Sequence, residues 1–511
     1  MAKPSLAYLF TAFVFLSVST SSAQPPNPPL SDTFLSCLTQ HANSSTPHSN
    51  IVFDNTNPNF TTVLPNYIAR LNTPLTPKPL LIVTVLQESH VQATVICAKS
   101  TNVQLRIRSG GHDYEGLSYV SQNPFILLDM FNLHRITVDV KNEVAMGQAS
   151  ATLGEVYYRI WDSSKVHGFP ASVCPIVAVG GHISGGGYGN MLRKYGLSVD
   201  NVIDAQIVDV KGNLLNRQTM GDDLFWAIRG GRVASFGVVV LFTIKIVPVP
   251  ETVTFFRVDK TLEENATDLW QQVAPTTDDR LFMRLLLAPS GKTVRASVMA
   301  LFLGEANEVL PILEKEFPLL GLKKVNCTEA HWIDSVAWFN DDQGSKNGAK
   351  PETLLNANPR EGLEIIWKKM IELGEMGLVF NPYRGKMAQI PSDATPFPHR
   401  KGNLFKARYS VSWKDPSPAA AQNFLNQTRE LHSCMTPYVS KNPRSAFLNY
   451  RDLDIGVNSF GKNSFQEVYG AKYFNDNLQR LVKVKTAVDP ENFFRNEQSI
   501  PGFVVMTDRY R

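Results

Sequence analysis

Two glycine-rich clusters constrain this chain most strongly, because each lies beside a nucleophilic side chain. The first, RSGGHDYEG, places His112 directly after Gly110 and Gly111. The second, GGHISGGGYGN, begins six residues after Cys174. Glycine lacks a Cβ atom, so such loops can bring backbone N–H groups close to a bulky anion. The residues alone allow two interpretations: a turn histidine with a core cysteine, or a large anionic cofactor held between the two loops.

Several other functional classes are disfavoured by spacing and charge. The segment PSGKTV contains Gly-Lys-Thr, but a P-loop needs a glycine where Leu286 stands, five residues before Gly291. No register of the second cluster fits G-x-G-x-x-G, which argues against a nicotinamide-binding Rossmann site. The ten histidines show no H-E-x-x-H spacing, and paired C-x-x-C motifs are absent, so no metal site is predicted. A net charge of +4 without a dense Lys/Arg stripe gives no basis for nucleic-acid binding.

The N-terminal stretch has the layout of a cleavable secretory signal over residues 1–23. Lys3 precedes an apolar run from Leu6 to Val18, and small residues end at Ala23. The run is too short to span a bilayer comfortably, and no later segment is long enough. We therefore expect a secreted monomer without a membrane anchor in its mature form, located in the cell wall space or in the vacuole.

The secretory route agrees with the sequons and the cysteines. N-glycosylation sequons without proline occur at Asn43, Asn59, Asn265, Asn326 and Asn426. Five cysteines are an odd number, so at least one stays outside intramolecular disulfides. Cys37 and Cys97 flank the first predicted layer and can pair. Cys174, beside a glycine cluster, suits chemistry better than a disulfide.

Hydrophobic patterning predicts an α+β fold in two parts. Up to about residue 250, short strands such as VQLRIR and PFILLD alternate with amphipathic helices and glycine-rich turns. From about residue 251 the glycine clusters thin out, while helices and strands lengthen, which indicates a second domain.

The chain resembles the plant berberine bridge enzyme-like family, within the vanillyl-alcohol-oxidase type of FAD-linked oxidases. The resemblance runs from about residue 35 to the C terminus through motifs in the same order. These are RSGGHDYEGLSYVS, VCPIVAVGGHISGGGYGNMLRKYGL, DNVIDAQIVDVKGNLL, GDDLFWAIRGG, LNYRDLDIG and DPENFFRNEQSIP. It implies a two-domain, PCMH-type fold. Residues 24–250, completed by 447–511, would bind FAD, and 251–446 would form a substrate domain on an antiparallel sheet backed by helices.

The resemblance also implies how FAD is held. His112 matches the histidine bonded to the flavin 8α-methyl carbon, and Cys174 matches the cysteine bonded to C6. Val177 matches the gate position beside flavin C4a in oxygen-reactive members, and His182 agrees with that pattern. Reoxidation by O₂ would therefore give hydrogen peroxide. The other implied cofactor contacts are Arg108, Ser109, Gly110, Gly111, Gly180, Gly181, Gly185, Gly186, Gly187 and Asn449.

The implied catalytic group is a tyrosine with cationic support. Tyr450 matches the base of family members that oxidise alcohols and phenolics, and Tyr114 and Tyr188 match neighbouring pocket tyrosines. A free phenol, with a pKa of about 10, is a poor base near neutral pH. Lys406 matches the lysine that stabilises the phenolate, and Arg408, two residues along a strand, should face the same side.

Four features depart from the family pattern. Arg232 and Val233 stand where many members continue with glycine, and Arg384 replaces a usual glycine. Arg408 replaces a glutamine or glutamate beside the base. It either lowers the pKa of Tyr450, binds an anionic or phenolic substrate, or fills the space of the base. Between ETLLNANP and REGLEIIWKKM, roughly a strand's length of chain is missing, on the order of fifteen to twenty residues.

The function predicted from this resemblance is the oxidation of a plant alcohol, phenolic, alkaloid or sugar by FAD and O₂. Two alternatives remain. One is a flavin-containing cyclase of plant phenolic metabolism without net redox change, in which Arg384 and Arg408 would polarise a carbonyl. The other is an inert secreted flavoprotein.

Overall fold

The computed structural model describes residues 30–42, 50–65, 73–261, 265–341, 348–354, 360–411, 413, 415, 417–441, 443–458 and 469–503. The predicted signal at 1–23 and the sequon at Asn43 lie outside these residues. Among the described helices, none has the length and apolar character that a membrane crossing requires.

The N-terminal part contains a four-stranded sheet in the order β1-β2-β4-β3. Strands β2, β4 and β3 are parallel, so β3 and β4 end at the same edge, where the first glycine cluster begins. The elements of this layer are α1 Leu30–His41, β1 Val52–Phe53, α2 Phe60–Val63, β2 Leu81–Thr84, α3 Glu88–Ser100, β3 Gln104–Arg108 and β4 Phe125–Asp129.

A five-stranded antiparallel sheet follows, in the order β5-β6-β10-β8-β9. Helix α5 carries the start of the second glycine cluster and packs against β6 and β10. The elements are β5 Ile136–Asp139, β6 Val144–Gln148, α4 Leu153–Ser163, β7 His167–Gly168, α5 Val179–Ser184, α6 Leu192–Tyr195, β8 Val202–Val208, β9 Leu214–Leu215, α7 Arg217–Ile228, β10 Val238–Lys245 and β11 Val247–Pro248, with β11 paired to β7.

The second part is built on a seven-stranded antiparallel sheet, ordered β15-β12-β14-β13-β17-β18-β16. Helix α11 buries Leu363, Ile366, Trp367 and Met370, whose spacing makes one apolar stripe facing the sheet. The elements are β12 Val253–Lys260, α8 Ala266–Val273, β13 Leu281–Ser290, β14 Thr293–Phe302, α9 Ala306–Glu316, β15 Cys327–Ala330, α10 Trp332–Asp341, β16 Gly348–Leu354, α11 Arg360–Leu373, β17 Gly377–Pro382, α12 Lys386–Gln389, β18 Phe405–Val411 and α13 Pro418–Cys434.

The C-terminal segment returns to the first part of the molecule. Phe447, Leu481 and Phe494 are buried in the same hydrophobic core as residues of the two N-terminal sheets. A short 3-10 turn, Leu448–Tyr450, carries the predicted base. The remaining helices are α14 Ala471–Phe474 and α15 Leu478–Val488.

The structure confirms the α+β class and the disulfide. Cys37 and Cys97 are bonded, with an S–S distance of 2.03 Å, and join α1 to α3. The four described sequon asparagines are exposed, namely Asn59, Asn265, Asn326 and Asn426. The shortening falls after β16, which is an edge strand of the seven-stranded sheet, and the residues that follow it at 355–359 lie outside the described chain.

Candidate active site

A cavity of about 570 Å³ lies where the two glycine clusters, β18 and the C-terminal turn meet. Ser109 to Tyr114, at the end of β3, line it on one side, and Arg408 and Tyr450 line it on another. Its volume is within the usual range for small-molecule and cofactor sites.

His112 and Cys174 both face this cavity. Burial lowers the pKa of His112 to about 4, although a hydrogen bond to the backbone of Ile176 raises it. The imidazole is therefore neutral near pH 7 and keeps a lone pair for bonding to carbon. The loop of Cys174 is anchored by Tyr157, whose hydroxyl donates to the Ser172 carbonyl at 2.6 Å.

The second glycine cluster exposes backbone to the cavity at one glycine and packs tightly against Asn449 at another. A Cβ on Gly181 would meet no atom within 4 Å, so the cavity is open directly above its backbone. A Cβ on Gly185 would instead lie 2.5 Å from the Asn449 side-chain nitrogen. That nitrogen donates to the His182 carbonyl at 2.9 Å, and the Asn449 oxygen accepts from Gly187 N–H at 2.9 Å. Exposed backbone, two nucleophiles and ample volume together fit a large cofactor such as FAD.

One wall of the cavity carries a hydrogen-bonded tyrosine pair. The hydroxyls of Tyr188 and Tyr450 lie 3.0 Å apart, and Arg408 Nη1 donates to the Tyr450 hydroxyl at 3.3 Å. The ring of Tyr114 stacks on Tyr450 with centroids 6.3 Å apart. Lys406 lies behind this wall, with Nζ 2.9 Å from the centroid of the Tyr188 ring.

Electrostatics assign different roles to the two cations of β18. Burial raises the pKa of Tyr450 well above 10, Tyr188 adds to the rise, and Arg408 opposes it. Burial lowers the pKa of Lys406 well below its ordinary value, and the positive charges of Arg408 and Arg284 add to this effect. Burial also favours a neutral Arg408, but the three nearby tyrosines raise its pKa above the ordinary value. Arg408 is therefore the cation in contact with the Tyr450 hydroxyl, which agrees with one of the three roles considered for it from the sequence, whereas Lys406 lies over the Tyr188 ring.

Most predicted site residues line the cavity together. They are Ser109, Gly110, Gly111, His112, Tyr114, Cys174, Val177, Gly180, Gly181, His182, Gly185, Tyr188, Arg408, Asn449 and Tyr450. Four predicted residues lie outside the lining: Arg108, Gly186, Gly187 and Lys406. The side chain of Arg108 points instead to the Asp129 carboxylate, 2.7 Å away, because the parallel register sets these two residues side by side.

Sequence reasoning missed three charged residues of the cavity wall. Asp113 forms an ion pair with Arg451 at 2.7 Å, and Arg232 lies close enough to interact with both. The sequence did mark Arg232 as an arginine where many family members have glycine. That difference alone did not show that the Arg232 side chain lines the cavity.

Two family models match parts of this chain. Residues 79–217 match the FAD binding domain family, and residues 446–501 match the family described as berberine and berberine like. Berberine bridge enzyme-like 21 of Arabidopsis thaliana is 55% identical over 525 residues, covering 96% of this chain and 97% of that protein.

Solved structures give the same result. Phl p 4, a grass pollen allergen with glucose dehydrogenase activity, superposes with a TM-score of 0.86 and 38% identity over 92% of this chain and 99% of its own. A Phl p 4 variant with valine in place of isoleucine is described as a glucose oxidase, whereas wild-type Phl p 4.0202 is a glucose dehydrogenase. Berberine bridge enzyme itself, as a variant, has a TM-score of 0.85 and 35% identity over 92% of this chain and 99% of its own. This chain therefore belongs to the berberine bridge enzyme-like family of FAD-linked oxidoreductases.

Proposed function

We propose that this protein is a secreted oxidase that converts a hydroxyl-bearing carbon of an anionic small molecule to a carbonyl. FAD, when bound, would accept a hydride from that carbon and pass two electrons to O₂. The observation that carries the proposal is the contact of Tyr450 with Arg408 and Tyr188, in the cavity that His112 and Cys174 also line.

Tyr450 is placed to take the proton from the substrate hydroxyl. Tyr450 lines the cavity, and the guanidinium of Arg408, which opposes the rise in the Tyr450 pKa, would stabilise the negative charge of its phenolate. The substrate would lose a hydride from carbon and a proton from oxygen. O₂, with two electrons and two protons, would become H₂O₂.

The cofactor would be held by bonds from His112 and Cys174. The neutral imidazole of His112 and the cavity position of Cys174 support this assignment. The described C-terminal residues share a hydrophobic core with the N-terminal sheets, which supports an FAD-binding domain of residues 24–250 and 447–511. A separate core within residues 256–439 supports a substrate domain of 251–446.

An anionic substrate follows from the charges of the cavity. Among the described lining residues, Asp113 is the one carboxylate, and it is already paired with Arg451. Arg408 lines the cavity with a permanent positive charge. A carboxylate or phenolate on the substrate would neutralise this excess.

Secretion is part of the same proposal. The signal-like residues 1–23 support it, as do the Cys37–Cys97 disulfide and the exposed sequons at Asn59, Asn265, Asn326 and Asn426. Disulfides of this kind persist in oxidising compartments.

The test combines a spectrum with substrate mixing. We expect the acid-precipitated protein to stay yellow, and His112→Ala with Cys174→Ala to leave a colourless pellet. Anaerobic mixing should bleach the wild-type flavin with an anionic sugar such as glucuronate faster than with glucose, and air should restore the colour with release of peroxide. A covalent flavin that no alcohol, phenolic, alkaloid or sugar bleaches would contradict the oxidase, and product formation without oxygen consumption would favour the cyclase.

Val177 is expected to permit the reaction with oxygen. One Phl p 4 variant described as a glucose oxidase has valine in place of isoleucine, and another has the same valine with a histidine five residues later. This chain has Val177 and His182 at the same spacing. We predict that Val177→Ile slows reoxidation by O₂ about tenfold or more, equivalent to ~1.4 kcal/mol in the barrier.

Stopped-flow mixing of the reduced protein with O₂ measures this rate. Reduction by substrate should stay within about twofold, which is ~0.4 kcal/mol. Val177→Thr is the matched control, because it keeps the size of the side chain and should keep the oxidase rate. Equal reoxidation of Val177→Ile and wild type would rule out a steric gate at this residue.

A further inference from the structure

Arg232 combines two unfavourable features in the cavity wall. Its φ is 70°, in the left-handed region that disfavours residues with a Cβ atom. Its side chain is buried, since only 5% of the residue is exposed. A backbone hydrogen bond holds Arg232 in this strained conformation, because its N–H donates to the Ser184 carbonyl at 2.9 Å. Strained residues of this kind cluster at ligand sites.

Two other arginines, Arg106 and Arg451, lie close enough to act on the charge of Arg232. Arg106 is neutralised by Glu497, with nitrogen–oxygen distances of 2.9 and 2.8 Å. Arg451 is paired with Asp113, whose carboxylate also accepts hydrogen bonds from the Ser118 hydroxyl and the Glu115 N–H. Arg106 and Arg451 therefore each have a carboxylate as a direct partner.

Arg232 differs from both, because its guanidinium has no carboxylate in direct contact among the described residues. Among the described residues it forms no ion pair, and its Nη1 reaches the Gln498 carbonyl only at 3.4 Å. Its Nε and Arg451 Nη1 are buried without a hydrogen-bond partner in the described chain. Both arginines line the same cavity as Ser109 to Asp113. A buried, uncompensated guanidinium is strongly unfavourable unless an anion joins it.

We propose that Arg232, together with Arg451, forms an anion-binding site for the diphosphate of FAD. The two phosphates are the permanent negative charges of this cofactor, whereas the oxidised flavin ring is neutral. Guanidinium groups bind phosphate oxygens through paired, charge-assisted hydrogen bonds. The inference rests on the FAD-binding domain of this chain and is independent of the proposed oxidase reaction.

The test measures cofactor affinity where no covalent bond retains the cofactor. In a His112→Ala, Cys174→Ala background, we expect Arg232→Gly to weaken FAD binding about tenfold to a hundredfold, the effect of losing a charged hydrogen bond. Riboflavin, which lacks the diphosphate, should bind equally well to both proteins. Inorganic pyrophosphate should compete with FAD in the parent and much less in Arg232→Gly. The control is Arg384→Gly, because Arg384 also has a positive φ, of 61°, but is exposed and lies outside the cavity.

Stability separates ligand binding from a structural role. Without cofactor, Arg232→Gly should unfold at a higher temperature than its parent, because glycine relieves both the backbone strain and the buried charge. A merely structural arginine would lower both stability and affinity on removal, which would overturn the proposal.

A second measurement uses the otherwise unaltered holoenzyme. If Arg232 binds the diphosphate, Arg232→Gly should reduce the ratio of FAD to protein after secretion and leave the flavin midpoint potential unchanged. An equal loss of riboflavin affinity, or a shifted midpoint potential, would place Arg232 at the flavin ring and overturn the assignment. A change confined to the substrate KM would place it at the substrate and overturn the assignment as well.

Discussion

Replacement of Tyr450 by phenylalanine is expected to lower the rate of substrate oxidation about 10² to 10⁴-fold, the usual contribution of a positioned general base. The substitution removes one oxygen and leaves the stacking with Tyr114 in place. Anaerobic stopped-flow bleaching of the flavin measures this step directly. The covalent flavin content should not change, because the substitution leaves His112 and Cys174 unaltered.

Arg408 provides the companion variant. Because Arg408 opposes the rise in the pKa of Tyr450, Arg408→Gln should raise that pKa further. A base must be deprotonated to act, so the rise of kcat/KM with pH should move to higher pH and activity near pH 7 should fall. Tyr188→Phe keeps Tyr450 and the cation, and we expect a smaller loss. Activity of Tyr450→Phe within threefold of wild type, or an unmoved pH profile in Arg408→Gln, would exclude this account of the base.

Sequence reasoning predicted that Lys406 and Arg408 both lie near Tyr450, but it did not show which of them contacts the hydroxyl. The alternation of strand β18 predicts that Lys406 and Arg408 share a face, and both do lie beside the tyrosine pair. Which of them meets the Tyr450 hydroxyl depends on packing. The shorter, flexible ammonium of Lys406 stops above the Tyr188 ring, while the longer guanidinium of Arg408 extends to the hydroxyl.

Strand register explains why Arg108 lies outside the cavity lining. The motif RSGGH suggested a cofactor contact for every residue in it, but β3 pairs in parallel with β4 and sets Arg108 opposite Asp129. The carboxylate then holds the guanidinium at 2.7 Å, away from the cavity. Hydrophobic patterning predicts where strands occur, but it does not give the partner residue of each position. The Arg232 cluster escaped prediction for a similar reason, since its members come from distant parts of the chain.

A buried lysine of the C-terminal segment contacts the chain next to the cavity-lining residues Val233 and Ala234. Lys485, on α15, is fully buried and donates to the Asp489 carboxylate at 2.5 Å, the Ser235 carbonyl at 2.7 Å and the Phe494 carbonyl at 2.8 Å. Ser235 ends the 3-10 turn that begins after Arg232. The position of the cavity wall near Arg232 therefore depends on an ammonium group supplied from the far end of the chain.

Lys485→Met is accordingly expected to lower the free energy of unfolding by about 3–5 kcal/mol, the cost of leaving a buried charge without its partner. Methionine fills a similar volume but donates no hydrogen bond, so Asp489 would keep its backbone contacts to Phe493 and Phe494 and lose its counter-charge. Urea unfolding followed by tryptophan fluorescence measures the change. Lys483→Met, at an exposed position of the same helix, is the matched control and should change stability by less than about 0.5 kcal/mol. Similar stabilities for the two variants would show that the ammonium group does not hold the C-terminal segment against the cavity wall.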